Sequence, residues 1–172
     1  FDNIVSQGRY DEVQAVLRSS GSTTDNFATY IYGGASVKAG TYGINVTQAA
    51  RQATASATMA APLAADETLS VALNGGTAVN VSLASGDTAD AVVSKINAAL
   101  KTAGVSALAS NSNGTLSIAS NAYGSAQSLT VSSSLDGTGT GFSAAGATAT
   151  GADVKGTIGG FDVSGCLYEG AA

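Results

Sequence analysis

Between Asp66 and Ser132 the apolar positions follow two different periods. Leu69, Val71 and Leu73 stand at every second residue, as do Val79, Val81 and Leu83, with Asn74-Gly75-Gly76 between the two runs. An extended chain turns successive side chains to opposite faces, and Asn and Gly tolerate the positive φ of a tight turn. The pattern predicts an antiparallel hairpin with one buried face. The period then lengthens: Ala89, Val93, Ile96, Leu100 and Ala103 step by four, three, four and three, which places them on one stripe of a helix. Thr88 stands where a hydroxyl caps the first N–H groups, and Gly104 suits the left-handed position after the last turn. Asp90 in the first turn and Lys95 and Lys101 towards the C-terminal half suit the helix dipole. A helix with one apolar face must lie on a sheet. Val105 to Ala109, Leu116 with Ile118 after an Asn113-Gly114 turn, and Leu129 with Val131 read as further short strands. The unit over 66–132 is therefore ββαβββ.

Outside this unit the signals are shorter. Tyr10, Val13 and Leu17, separated by Asp11, Glu12, Gln14 and Arg18, predict a short amphipathic helix within 8–20, and Phe27, Tyr30, Ile31 and Tyr32 favour a strand before Gly33-Gly34. Tyr42, Ile44 and Val46 alternate with Thr41, Gly43, Asn45 and Thr47, as in a half-buried strand. The alanine-rich stretch 49–65 reads as a second strand in preference to an irregular connection. Residues 133–152 are nearly all Gly, Ser, Thr and Ala around Phe142, and read as a flexible loop or weakly specified strands. Order returns near Val154 and Ile158. The expected fold class is α+β, mainly β, with two small strand-rich domains, one of which packs a helix on an antiparallel sheet. The expected division is an N-terminal segment 1–35 of short helix plus strand, a strand-rich domain from 36–65 and 133–172, and the ββαβββ unit at 66–132.

Composition narrows the function classes. The 172 residues are 44% apolar, but alanine supplies much of that, aromatics reach 6% and Trp is absent, so the core is thin. Only 11% of residues are charged, against roughly 25% in an average globular chain, and Ser, Thr and 22 Gly leave a neutral, hydroxyl-rich surface. A net charge of −5 repels polyanions, which argues against nucleic acid as a partner. The absence of His removes the usual general base near neutral pH and the commonest transition-metal ligand. One Cys allows no intrachain disulfide. The longest apolar run, Met59 to Ala65, contains Pro62 and falls far short of the roughly 20 residues of a membrane span. Asp2 stands where a secretory signal carries Lys or Arg, and no initiating Met is present, so the chain is expected to be a piece of something longer.

Each candidate for chemistry has a plainer explanation. Asp136-Gly137-Thr138-Gly139-Thr140-Gly141 lacks the Lys-Ser/Thr ending and the strand–helix setting of a phosphate loop, and one Asp supplies too few oxygens for calcium. Ser94 and Lys95 are adjacent in a helix, about 100° apart, and cannot act as nucleophile and base. Asp87 and Asp90 flank Thr88 where helix N-termini collect acids, which suits capping better than a glycosidase pair. Cys166 has no base beside it and reads as a small buried side chain or an idle thiol. The sequons at Asn45, Asn80 and Asn113 match an N-glycan acceptor, but two of them fall in strands and the motif is common by chance. No catalytic, cofactor-binding or metal-ligating residue is expected, and no enzyme activity.

Three segments, in order, carry a resemblance. Ala39-Gly40-Thr41-Tyr42-Gly43-Ile44-Asn45-Val46-Thr47-Gln48-Ala49-Ala50 resembles the GTY-x-I-x-VTQ-x-A segment of bacterial flagellar filament-capping proteins, the hook-associated protein 2 family. Residues 66–132 resemble the flagellin hook IN motif, with Lys95-Ile96-Asn97-Ala98-Ala99 in the helix, then Ala103-Gly104-Val105-Ser106-Ala107, Gly114-Thr115-Leu116, and Gly124-Ser125-Ala126-Gln127-Ser128-Leu129-Thr130-Val131. Gly151-Ala152-Asp153-Val154-Lys155-Gly156-Thr157-Ile158-Gly159-Gly160 is similar to the G-x-DV-x-GTI-x-G segment of the same family. Residues 1–35 have no counterpart in it.

The resemblance implies the outer plate domains of a filament cap, a structural part of the bacterial flagellum that supports flagellin assembly at the filament tip. It implies an extracellular location reached through the flagellar export channel. The implied partners are copies of the same chain in a ring of the full-length protein, flagellin, the hook–filament junction proteins, and host mucin or glycans. Two alternatives stay open: a variable outer domain of a flagellin subunit, and an adhesin-like module binding host glycans. Without the family's helical legs, and with a repulsive net charge, the fragment itself is expected to be mostly monomeric.

Overall fold

The computed structural model describes residues 43–165. The helix expected within 8–20, the strand at 26–32 and Cys166 lie outside them. Among the described residues there are ten strands and one helix: β1 (Ile44–Gln48), β2 (Gln52–Thr58), β3 (Glu67–Leu73), β4 (Val79–Leu83), α1 (Ala89–Thr102), β5 (Ala107–Ser112), β6 (Thr115–Tyr123), β7 (Ser128–Ser133), β8 (Ala147–Thr150), β9 (Val154–Ile158) and β10 (Phe161–Gly165). They form three antiparallel sheets, ordered β4-β3-β7-β8, β2-β6-β5 and β1-β9-β10. The fold is α+β and mainly β, as the periodicity predicts, and the ββαβββ order from β3 to β7 is present.

The hairpin of β3 and β4 turns through Asn74 and Gly75, both at positive φ, and the Gly76 N–H donates to the Leu73 carbonyl at 2.9 Å. Leu69, Val71, Val81 and Leu83 are buried on its inner face. In α1 the Thr88 hydroxyl accepts from the Ala91 N–H. At the other end Gly104 lies at φ 68°, the Val105 N–H reaches the Leu100 carbonyl at 2.9 Å and the Gly104 N–H reaches the Lys101 carbonyl at 3.1 Å. This paired closure satisfies two carbonyls that the last turn leaves open, and Val105 packs back against the core. The buried stripe is Val92, Ile96 and Leu100. Val92 is buried where its neighbour Val93 is expected to be, Val93 is half-buried, and Ala103 is exposed because it is the C-cap, past the last helical residue.

Leu69, Val71, Leu129 and Val131 from the four-stranded sheet, Leu116 and Ile118 from β6, Ala53 and Ala55 from β2, and the helix stripe join one apolar core. Among the described residues, the strands on either side of the ββαβββ unit are shared between the three sheets. β1 joins β9 and β10, whereas β2 pairs with β6 and β8 pairs with β7. The reason is the burial of Ala53, Ala55, Met59 and Leu63, which the weak alanine pattern concealed.

Residues 133–146 are also more ordered than their composition suggests. Phe142 and Thr140 are buried, and β8 follows. The buried carboxylate of Glu67 in β3 accepts hydrogen bonds from the Ser133 hydroxyl at 2.6 Å, the Thr140 N–H at 2.9 Å and the Thr140 hydroxyl. A buried carboxyl group is tolerated when its oxygens are filled with donors, and here the donors come from the loop that it holds down.

Candidate functional surface

The β1-β9-β10 sheet is amphipathic by register. Ile44 pairs with Ile158, which pairs with Phe161; Val46 pairs with Gly156, which pairs with Val163. Residues directly opposite share a face and the period along each strand is two, so all five apolar side chains stand on one face. Asn45, Thr157 and Asp162 occupy the other. The apolar face is open: Ile44 is 40% exposed, Val46 52%, Ile158 43%, Val163 42% and Phe161 78%. The strand expected here as half-buried therefore has no buried face among the described residues. Gly156 sits at the centre because any Cβ there would collide with the Asn45 carbonyl oxygen. Among the described residues β10 forms one edge of the sheet with all five residues exposed, while β1, the other edge, carries a register shift between Val46 and Gln48.

Two connections leave this sheet side by side, one through Arg51 and one through Gly151 to Asp153. Arg51 and Ala152 exchange backbone hydrogen bonds of 2.8 and 3.0 Å, and the Gly124 N–H donates to the Arg51 carbonyl at 3.0 Å. Gly151 is packed so closely against the Gly124 and Arg51 carbonyls that a Cβ has no room. The Gln48 amide donates to the Asp153 carbonyl at 2.8 Å, and the Asp153 carboxylate accepts from the Ser125 N–H and the Ser125 hydroxyl, each at 2.7 Å. These two bonds, the hydroxyl first, hold the Asp153 carboxyl below its ordinary range. Gln48, Ser125 and Asp153 come from the three segments that carried the resemblance, and they meet at this neck. Sequence reasoning gave Asp153 no role, since the partner 28 residues away leaves no local pattern.

Among the sequence candidates for chemistry, Asp87, Lys95 and Asp136 make structural contacts. Asp87 accepts from the Lys95 ammonium at 2.6 Å and the Ala84 N–H at 2.8 Å, and these bonds, Lys95 first, lower its carboxyl. Lys95 thus turns back towards the helix start, although its position had suggested a dipole role at the other end. Asp90 lies in the first helical turn. Ser94 is exposed beside Lys95. Asp136 braces its own loop by accepting from the Ala144 N–H at 2.9 Å. Asn45 lies in β1, Asn80 in β4 and Asn113 in the β5–β6 turn at φ 49°. Among the described residues no group of three or more His, Cys, Asp or Glu stands together to hold a metal, and no helix is long and apolar enough to cross a membrane.

The span from β3 to β6, with its helix, has a recognised counterpart. Residues 68–122 match the flagellin hook IN motif. Beyond that motif, the flagellar cap protein FliD from Bdellovibrio bacteriovorus is similar over 73% of this chain and 76% of its own, with 18% identity and a TM-score of 0.53, a likeness of fold. The D2–D3 domains of FliD from Serratia marcescens cover 75% of this chain and 80% of theirs at 17% identity and a TM-score of 0.49. The D1–D2–D3 domains of FliD from Escherichia coli cover 78% of this chain at 21% identity and a TM-score of 0.47, and this chain spans 46% of theirs. No curated protein matches the chain.

Proposed function

We propose that the chain is part of a flagellar filament cap, an inert structural plate that supports flagellin assembly at the filament tip. The observation that carries this reading is the pairing of β1 with β9 around the IN motif. Two segments whose partners lie as far apart as Thr47 and Lys155, 108 residues, return to one sheet and enclose the motif between them. The fold likeness to the Bdellovibrio cap protein supports the same reading. In it the chain catalyses nothing, and acts outside the cell after export through the flagellar channel. Its partners are copies of itself in the ring of the full-length protein, flagellin, the hook–filament junction proteins, and host mucin or glycans where the outer surface meets them. The division that suits this role is a small β1-β9-β10 sheet and a body from β2 to β8 with α1.

A flagellin outer domain is the second reading, since the IN motif by itself fits either; the enclosing β1–β9 pair favours the cap. Immunogold labelling of intact flagella with antibodies to this chain separates the readings. Gold confined to filament tips is expected. Gold along the whole filament overturns the cap in favour of a flagellin, and gold on the cell body alone overturns both in favour of an adhesin-like module.

A further inference from the structure

We draw no further inference here: the strongest candidate, the open apolar face of the β1-β9-β10 sheet around Phe161 with its β10 edge, is an unpartnered surface among the described residues, and nothing in the structure shows what covers it.

Discussion

Asn97 of α1 grips Ala109 of β5 by both of its backbone groups: its amide nitrogen donates to the Ala109 carbonyl at 2.9 Å and its amide oxygen accepts from the Ala109 N–H at 2.7 Å. Among the described residues β5 is an edge of its sheet, and these two groups meet the Asn97 amide in place of a further strand. A primary amide presents one donor and one acceptor side by side, as the next strand's peptide would. Ile96, the neighbouring residue, is buried in the core, so the dipeptide docks the helix through packing and hydrogen bonding at once.

Replacing Asn97 therefore should uncouple the helix from the sheet edge. Asn97→Ala leaves both Ala109 groups without a protein partner in a partly buried site, at a cost of about 2 kcal/mol. Asn97→Asp keeps the acceptor but turns a second oxygen towards the Ala109 carbonyl, so it does not rescue. Urea denaturation monitored by circular dichroism reads both, as a lower midpoint with unchanged slope. An Asp variant as stable as the parent would refute the two-sided grip.

The neck should respond to pH through Asp153. Its folded-state carboxyl is held below the ordinary value of 3.8 by the Ser125 hydroxyl and N–H. A depressed carboxyl contributes stability that is fully present above the unfolded value and is lost as pH falls through the lower, folded value. Thermal midpoints of the parent and of Asp153→Asn should therefore differ most above pH 3.8 and converge below it. Hydrogen exchange should show faster opening at Ser125 in the variant near neutral pH. A gap between the two proteins that widens on acidification would contradict the assignment.

Where burial writes a period, the sequence was legible. Leu69, Val71, Val81 and Leu83 alternate because one face of their hairpin is buried, and Thr88 and Gly104 bracket α1 because unpaired helix ends need those residue types. Where burial is achieved by small or polar side chains, it was not. Ala53 and Ala55 in β2 carry too little apolar area to stand out among neighbouring alanines, and Thr140 is buried through its bond to Glu67, a residue 73 positions away. The open face of β1 shows the converse, since Ile44 and Val46 alternate as in a buried strand yet remain exposed. The neck shows the same limit: Gln48, Ser125 and Asp153 lie in three separate segments of the sequence, and only their convergence gives each a task.

Gly141 and Gly86 offer a controlled comparison, with φ of 84° and 87°. Nothing lies within 4 Å of a Cβ at Gly86, so Gly86→Ala meets only the left-handed backbone cost of about 1–2 kcal/mol. At Gly141 the same methyl would collide with the Thr58 carbonyl oxygen, backbone that cannot move without disturbing β2. Gly141→Ala should be the more damaging by at least as much again, an estimate of about 2 kcal/mol for a strained close contact. Calorimetric midpoints of the two variants, measured together, test this. Equal losses would mean that the 133–146 loop is not held against β2.

Phe161 should matter to association far more than to folding. At 78% exposure its ring adds little to the stability of the monomer, so Phe161→Ser is expected to change the unfolding free energy by no more than about 0.5 kcal/mol. A buried counterpart such as Ile96→Ala should lose about 2–5 kcal/mol under the same conditions. The exposed ring stands with Ile44, Val46, Ile158 and Val163 on one face, and such a patch binds apolar dyes and promotes self-association as concentration rises. Light scattering coupled to size exclusion should therefore show a mainly monomeric parent at micromolar concentration, with the larger species that grow in on concentrating reduced in Phe161→Ser. If Phe161→Ser unfolds the chain instead, the face is covered in solution and its openness is refuted.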